Sequence, residues 1–491
     1  MSIPPFFLLL ILTIYSHLSV TNSKEAGLGI FPKIPRNAPD SQSQEVDVST
    51  DSDRNILYFD QNLDHFTFTP KSYMKFQQRY AIDSKYWEGA KANAPILAFL
   101  GEESSLDSDL SGIGFLSENG PRLKALLVYI EHRFYGKSLP FGSAEETLKN
   151  ASTLGYLNAA QALADYAAIL LHVKEKFSAK HSPVIVIGGS YGGMLAAWFK
   201  LKYPHIALGA LASSAPLLYF EDTRPKYGYY YIVTKVFKET SERCYDTVRQ
   251  SWEEIDRVAA KPNGLLILSR KFMMCNPLNG TFALKNYLDS IYATVAQYSN
   301  NFYSVATICE AINSPPNDKD DLLGQIFAGV VSFMGNKTCY DTSLEPTNAY
   351  MAWKWQRDGH EKEDTMFQTK PFNMSTFTEE CEVNYGVPPR PHWATAYFGI
   401  QDVKLILRRF GNNIIFSNGL LDPYSAGGVL EDISATVVAI TSKYGSHCQD
   451  IVFKSREDPD WLVIQRKKEI EIIKSWISTY KRDMRDLNIS V

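Results

Sequence analysis

The stretch VIVIGGSYGGM, from Val184 to Met194, decides the fold of this chain. It begins with four β-branched residues in a row, which favour a buried strand. It then places four glycines around Ser190, although a glycine inside a folded element costs about 0.5–1 kcal/mol relative to alanine. The pattern therefore predicts a strand that ends in a tight turn, where glycine is required and the serine hydroxyl is presented.

The segment from Gly188 to Gly192 matches G-x-S-x-G, the motif of the nucleophile elbow. A predicted strand leads into it and a helix-forming run leaves it, which is the context that the motif needs. In such an elbow the serine lies in a strained turn, and the glycines let two elements approach without clashes. For this stretch alone, a plain glycine-rich turn is the alternative.

The rest of the chain alternates between short apolar runs, typical of buried strands, and longer runs typical of helices. We predict strands within residues 95–101, 125–133, 184–189, 208–216, 412–419 and 436–442, and helices within 158–177, 194–203 and 461–483. Such alternation indicates a parallel sheet covered by helices, so the predicted fold class is α/β. Between about residues 220 and 386 the alternation stops, and helix-like spacing predicts a mainly helical insertion.

The N-terminus indicates export. An apolar run from Phe6 to Ile14, too short to span a bilayer, is followed by small residues, which predicts a signal peptide over 1–23 despite the missing basic n-region. A buried N-terminal helix is the alternative. Residues 24–54 are polar and are predicted to be a linker or pro-segment. We expect the α/β domain over 55–219 and 387–491, with the insertion over 220–386, and no transmembrane anchor.

Composition narrows the possible partners. The net charge is −4 with no basic cluster, so no nucleic-acid or polybasic membrane partner is expected. The six cysteines form no C-x-x-C pair, which favours structural disulfides over zinc or redox chemistry, although some could be buried thiols. Five sequons suit an exported glycoprotein: Asn150, Asn279, Asn336, Asn373 and Asn488.

A serine nucleophile needs a base and an acid, which in an α/β-hydrolase follow it in the order Ser, Asp, His. Of the histidines after residue 220, His360 and His392 precede the resumed strands, whereas His447 follows the last predicted strand. His447 is therefore the predicted base, although a lone loop histidine would more often be structural.

The predicted acid is Asp422, which follows the strand within 412–419. Asp432 and Asp450 are rivals that we expect at the surface. This assignment places the insertion between nucleophile and acid, where such folds often carry a lid.

Two backbone N–H groups should stabilise the oxyanion of an acyl-transfer reaction. One is expected from Tyr191, which directly follows the nucleophile. The other should come from the turn after the strand within 95–101. The residues leave Gly101, Glu102 and Glu103 open, with Glu102 as the candidate for the second donor.

Several long motifs carry a resemblance that covers residues from about 58 to 480. They are LDHF (63–66), FQQRY (76–80), EHRFYGKSLPFG (131–142), QALADYA (161–167), GGSYGGM (188–194), SNGLLDPYS (417–425) and GSH (445–447). Together they resemble the Pro-Xaa carboxypeptidase family of serine peptidases, which also includes dipeptidyl-peptidase II.

The resemblance implies an α/β-hydrolase core with a helical lid, working at acidic pH in the lysosome, vacuole or extracellular space without metal or organic cofactor. It implies the same triad of Ser190, Asp422 and His447. It also implies that Met194 and Tyr424 line a proline pocket, although either could simply pack in the core. A homodimer is a reasonable expectation from the resemblance.

The chain departs from the family pattern at several points. The family's turn Gly-Asn-Glu-Gly reads Gly-Glu-Glu-Ser at 101–104, Tyr424 stands where tryptophan is common, and Cys448 replaces a second histidine. After Gln356 several family residues, including part of the proline pocket, are missing. The family pattern further implies the disulfides Cys244–Cys309 and Cys275–Cys339, and leaves the pairing of Cys381 with Cys448 open.

The sequence thus predicts a serine exopeptidase that hydrolyses the peptide bond after proline and releases a C-terminal residue. A dipeptidyl-peptidase that removes N-terminal Xaa-Pro dipeptides is the nearest alternative. A secreted homologue with impaired catalysis is the second, because part of the pocket is missing. A lipase or esterase is the least favoured.

Overall fold

The structure is a computed structural model that describes residues 54–143, 146, 151–220, 227–299, 304–315, 321–342, 365–368 and 373–488. The predicted signal peptide and linker, the sequon at Asn150, His360 and the departure after Gln356 lie outside these residues. The other four sequon asparagines are exposed. None of the described helices is long and apolar enough to cross a membrane.

The core of the protein is one eight-stranded sheet with the order β1-β2-β4-β3-β5-β6-β7-β8. The strands are β1 Arg54–Asn62, β2 Lys75–Asp83, β3 Ile96–Leu100, β4 Leu126–Ile130, β5 Val184–Gly189, β6 Ala207–Ser213, β7 Ile414–Gly419 and β8 Val437–Ser442. Strands β3 to β8 are mutually parallel, as the alternating pattern predicts, whereas β2 runs antiparallel to both β1 and β4.

Strands β1 and β2 were not predicted from the sequence. Their sequences are rich in polar residues, and several of these polar side chains are buried and form hydrogen bonds with one another. Gln61 and Gln78 are both fully buried, and the amide nitrogen of Gln61 donates to the side-chain oxygen of Gln78 at 2.8 Å. Buried polar groups that are hydrogen-bonded are tolerated in a core, but they give no apolar run to recognise.

Helices cover both faces of the sheet, and a separate helical bundle follows β6. Before the insertion lie α1 Leu106–Gly112, α2 Phe115–Leu123, α3 Ala151–Leu154, α4 Ala159–Lys176 and α5 Ser190–Lys202. In the region predicted as the insertion lie α6 Gly228–Thr240, α7 Glu242–Ala259, α8 Gly264–Lys271, α9 Thr281–Gln297, α10 Val305–Asn313, α11 Leu322–Met334 and α12 Met374–Tyr385. After it come α13 Trp393–Phe398, α14 Val403–Phe410 and α15 Asp460–Asp486.

Apolar packing forms three clusters. One lies on the sheet face covered by α4 and α5, and includes Ala98 and Leu195. A second lies on the opposite face, where Phe99 and Trp476 of α15 belong to one cluster. The third fills the bundle α6–α11 and reaches Tyr424 of the sheet domain. The bundle therefore has a core of its own, which supports the predicted domain boundaries; these boundaries stay a prediction.

Two disulfides, Cys244–Cys309 and Cys275–Cys339, lie in the bundle. They join the same cysteines that the family pattern implies. Cys381 and Cys448 are both buried and are not joined to each other. Both disulfides therefore crosslink parts of the insertion, and neither joins the insertion to the sheet.

A buried ion pair ties together three of the long motifs. Arg133 donates through Nε and a terminal nitrogen to the two carboxylate oxygens of Asp165, both at 2.6 Å, and neither side chain is exposed. His65 contacts the same carboxylate at 2.8 Å, and Arg133 also donates to the carbonyl oxygen of Leu63 at 2.9 Å. The motifs LDHF, EHRFYG and QALADYA therefore build a scaffold that joins β4, α4 and the turn after β1.

Replacing Asp165 should destabilise the fold, because Asp165→Asn leaves the buried guanidinium of Arg133 without a counter-charge. Removing one partner of a buried pair costs about 3–5 kcal/mol, so the urea midpoint should fall clearly. The matched control is Glu88→Gln, which breaks an exposed pair with Lys124 and should cost less than about 1 kcal/mol. Equal midpoints for the two variants would contradict this role of the ion pair.

Candidate active site

Ser190 lies at a sharp turn between β5 and α5, with a backbone φ of +55°. This left-handed conformation is costly for a residue with a side chain and is typical of functional sites. The flanking glycines are sterically required. A Cβ atom on Gly188 would lie 2.1 Å from the carbonyl oxygen of Gly192, and one on Gly193 would lie 2.7 Å from that of Ser213. The turn thus has the geometry of the nucleophile elbow that the sequence predicts.

Asp422 and His447 form a hydrogen-bonded pair beyond the carboxyl ends of β7 and β8. The Nδ1 atom of His447 lies 2.8 Å from Oδ2 of Asp422, and the two residues are 3% and 1% exposed. The other carboxylate oxygen accepts the backbone N–H of Tyr424 at 2.9 Å. The carboxylate is therefore held in a fixed orientation, and it orients the imidazole in turn.

The remaining ring nitrogen of His447 is buried and has no hydrogen-bond partner among the described residues. This nitrogen therefore forms no hydrogen bond with Ser190, or with any other described residue, in this structure. Catalytic hydrogen bonds are often long without substrate and tighten in the complex. A buried nitrogen that can accept a proton is what a general base requires.

The chain neighbours of Ser190 and His447 are in direct contact. A Cβ atom on Gly189 would lie 2.9 Å from the sulfur of Cys448. The backbone N–H of Cys448 donates to the hydroxyl of Ser214 at 2.9 Å, and Ser214 directly follows β6, which pairs with β5. These contacts bring the turn of the serine and the loop of the histidine to one edge of the sheet.

The rival acids lie elsewhere. Asp432 is exposed and accepts the N–H of Ala439 at 2.8 Å. The expectation that Asp450 lies at the surface was wrong: it is 4% exposed and accepts a hydrogen bond from Ser213 at 2.5 Å. The sequence near Asp450 has no apolar run that would indicate burial. Asp422 is the carboxylate that contacts His447.

The N-terminus of α5 offers backbone donors for an oxyanion. The first N–H groups of a helix have no intrahelical acceptor, and Tyr191 lies in this first turn. The next N–H, of Gly192, is already used, since it donates to the carboxyl of Glu102 at 3.1 Å. Tyr191 therefore remains the candidate for the first donor.

The turn after β3 supplies the candidates for the second donor. The N–H of Gly101 donates to the carbonyl oxygen of Ile130 at 2.9 Å. The N–H of Glu102 makes no hydrogen bond within the described residues. The bond to Ile130 argues against Gly101 as the second donor, and the assignment to Glu102 stays a prediction.

Three carboxyl groups lie at or near this turn: Glu102 and Asp109 are buried, and Glu103 is half-buried. Burial, followed by repulsion from Glu103 and Asp109, raises the pKa of Glu102 well above its usual value. Burial likewise raises the pKa of Glu103 to about 8 and that of Asp109 to about 7. Burial therefore favours the protonated form of each of these carboxyls in the folded protein.

The insertion holds the loop that carries His447. The carbonyl oxygen of Gln297, the last residue of α9, accepts the backbone N–H of His447 at 2.9 Å. Two residues later, the carbonyl oxygen of Ser299 accepts a hydrogen bond from the hydroxyl of Ser446 at 2.6 Å. The ring of Tyr298, which lies between them in the chain, packs edge-on against the imidazole of His447, with the ring centroids 5.5 Å apart. Sequence reasoning missed these residues, because backbone carbonyls leave no residue-type signal.

The two predicted pocket residues lie in different surroundings. Met194 is 1% exposed and belongs to the apolar cluster on the α4–α5 face, a placement that fits the core-packing alternative. Tyr424 is also 1% exposed, but its ring centroid is 4.6 Å from that of His447. Of the two, Tyr424 is the residue beside the predicted base. Their roles in substrate binding stay predictions.

This strand order, with a serine elbow after β5 and an Asp–His pair after β7 and β8, defines an α/β-hydrolase of the serine type. Among the described residues, no group of three or more His, Cys, Asp and Glu side chains is placed to hold a metal ion. The sequence profile of one family, serine carboxypeptidase S28, matches residues 61–384 and 361–469. The chain belongs to this family.

Curated relatives span nearly the same length. The lysosomal Pro-X carboxypeptidase of Homo sapiens is 35% identical over 450 residues, covering 87% of this chain and 88% of that protein. The protein of the same name from Mus musculus is 34% identical over 462 residues, covering 89% and 92%. A solved proline iminopeptidase from Mycobacterium smegmatis, at 13% identity over 82% of this chain and 97% of that one, has a TM-score of 0.34, and the fold assignment does not rest on it.

Stability should fall as the pH rises from about 4 to 8. The pKa values of about 7 for Asp109 and about 8 for Glu103 exceed their usual values, so the folded state binds more protons than the unfolded state in this window. Folding stability is then full below about pH 4 and is lost as the pH rises through these values. Thermal unfolding at several pH values checks this trend, and Asp109→Asn should flatten it.

The control for the pH trend is Asp486→Asn, an exposed carboxyl near the end of α15, which should leave the slope unchanged. A melting temperature that rises between pH 5 and pH 8 would contradict the protonated state of the buried carboxyls.

The triad assignment predicts that Asp422→Asn lowers kcat by about 10⁴, because the imidazole loses the partner that fixes its tautomer. Asp432→Asn removes the exposed rival and should keep kcat within about twofold of the wild-type value. Steady-state hydrolysis of a model peptide measures both. The assignment fails if Asp422→Asn retains wild-type kcat.

Proposed function

We propose that this enzyme is a serine exopeptidase that hydrolyses the peptide bond on the carboxyl side of proline and releases a C-terminal residue. The observation that carries the proposal is the buried Asp422–His447 pair. The second ring nitrogen of His447 has no hydrogen-bond partner among the described residues, and the loop that carries His447 contacts the turn of Ser190. The specificity is taken from the relatives named lysosomal Pro-X carboxypeptidase. A proline-containing peptide is the proposed substrate.

The proposed mechanism uses the three side chains in turn. The hydroxyl of Ser190 attacks the carbonyl carbon of the proline residue while His447 accepts its proton at Nε2. The imidazolium then donates this proton to the leaving amine, and water later releases the acyl group by the reverse sequence. Asp422 keeps the imidazole oriented and stabilises its charged form.

Backbone donors complete the proposed mechanism. The N–H groups of Tyr191 and Glu102 are proposed to hold the oxyanion, each contributing about 2.7–4 kcal/mol to the transition state. The aromatic ring of Tyr424, beside the imidazole, offers an apolar face that suits the pyrrolidine ring of proline.

We further propose the lysosome or a related acidic compartment of the secretory pathway as the place of action. The relatives named above carry the word lysosomal in their names. The half-buried carboxyl of Glu103 and the buried carboxyl of Asp109, with pKa values of about 8 and 7, favour the folded state at acidic pH. The homodimer remains an expectation from the resemblance.

Two substrates separate the main proposal from its nearest alternative. A carboxypeptidase cleaves an N-terminally blocked dipeptide ending in Pro-Phe, whereas a dipeptidyl-peptidase requires a free amino terminus, as in an Xaa-Pro arylamide. We expect cleavage of the blocked peptide. Cleavage of the arylamide alone would favour the dipeptidyl-peptidase.

A fluorophosphonate probe tests the nucleophile and the third alternative, an impaired homologue. Ser190→Ala should abolish labelling and lower kcat by about 10⁶, whereas Ser111→Ala, an exposed serine on α1, should change neither. Labelling without cleavage of either peptide would favour an impaired homologue. Equal labelling of Ser190→Ala and wild-type protein would refute the nucleophile.

A further inference from the structure

The side chain of Glu102 lies against the nucleophile turn. Its Oε2 atom accepts the N–H of Gly192, two residues after Ser190, at 3.1 Å. A Cβ atom on Gly192 would lie 3.2 Å from the same oxygen, so the carboxyl is packed directly onto the first turn of α5. Glu102 is 1% exposed, and water therefore cannot screen a charge on it effectively.

The titratable groups that interact electrostatically with this carboxyl lie on four elements besides its own turn. They are Glu103 in the same turn, Asp109 of α1, Tyr166 of α4, Tyr298 at the end of α9, and Cys448 in the loop of the base. None of them is basic, and in the part of the chain that the structure describes Glu102 forms no ion pair. A buried carboxylate without a counter-charge is strongly disfavoured.

Of these groups, only the carboxyls change charge near neutral pH. Burial raises the pKa values of Tyr166, Tyr298 and Cys448 well above their usual values, so these groups remain neutral. Glu103 and Asp109 add negative charge as the pH rises, which keeps the Glu102 carboxyl protonated to higher pH.

We propose that Glu102 is a positioning residue whose carboxyl must be uncharged for catalysis, so that its ionisation switches Ser190 off as the pH rises. The uncharged carboxyl accepts the Gly192 N–H and thereby holds the first turn of α5. The ionised carboxyl places a negative charge beside the donors proposed for the oxyanion and opposes the charge that develops there. In a poorly screened site this repulsion should slow attack by about tenfold or more.

The substitution in the turn makes the inference specific to this chain. The turn Gly-Asn-Glu-Gly of the resembled family has an amide at the position of Glu102, and an amide cannot ionise. The sequence Gly-Glu-Glu-Ser at 101–104 therefore adds a titratable group at the nucleophile turn. Ionisation of Glu102 would lower the reaction rate as the pH rises, whereas loss of a proton from His447 is required before this residue can act as a base.

The experiment compares the pH profiles of wild-type protein and Glu102→Gln between pH 4 and 9. One readout is kcat/KM on the blocked Pro-Phe dipeptide, which rests on the proposed function. The other is the rate of inactivation by a fluorophosphonate, which requires only Ser190, its base and the oxyanion donors. In both, we expect the decline on the alkaline side to move up by at least about one pH unit, or to disappear, in Glu102→Gln.

Two control variants separate this effect from a general change in charge. Glu103→Gln removes the neighbouring carboxyl, whose repulsion raises the pKa of Glu102, and should therefore move the decline to lower pH, in the opposite direction to Glu102→Gln. Glu175→Gln removes an exposed carboxyl near the end of α4 and should leave the profile unchanged. Circular dichroism at each pH shows whether the protein is folded where the rate is measured. Should Glu102→Gln fail to fold, Glu102→Asn, the residue of the resembled turn, replaces it.

The inference is overturned if folded Glu102→Gln declines at the same pH as the wild type in both readouts, or if the wild-type decline only follows unfolding. A shifted inactivation profile without cleavage of the dipeptide would disprove the proposed substrate and still support the role of Glu102. Cleavage of the dipeptide with an unshifted inactivation profile would support the proposed substrate and disprove the role of Glu102.

Discussion

The rest of the site is organised around the hydrogen bond between His447 and Asp422. The loop of the base is fixed from three sides: by the carboxylate after β7, by the hydroxyl of Ser214 after β6, and by the carbonyl oxygen of Gln297 from the insertion. The sheet alone supplies two of these contacts. The insertion is thus part of the framework that holds His447, because without it the loop of the predicted base would lose one support.

Acidity links the stability of this protein to its chemistry. The turn proposed to offer the second oxyanion donor carries Glu103 and lies near Asp109, and burial raises the pKa values of these carboxyls to about 8 and about 7. The protons that allow these groups to be buried also remove negative charge from the neighbourhood of Ser190. An acidic compartment would therefore favour the fold and the reaction through the same groups.

The sequence was informative where glycine geometry and apolar periodicity determine structure. The glycines around Ser190, the parallel strands β3 to β8 and the positions of Asp422 and His447 after their strands all followed from residue patterns. Strands β1 and β2 did not, because buried pairs such as Gln61 and Gln78 replace apolar residues. The burial of Asp450 and the contact of Gln297 with the base also escaped prediction, since they depend on tertiary packing and on a backbone carbonyl.

The position of the insertion fixes when the enzyme can form during synthesis. Strand β6 pairs with β7 through Ala210 and Ile414, so the growing sheet keeps an open edge until the ribosome has made the whole helical bundle. The ring of Trp476, which fills the space above Gly209, arrives later still. Ser190, the proposed nucleophile, is therefore translated long before His447, its proposed base, and on this assignment a nascent chain that has not reached His447 cannot cleave the peptides around it.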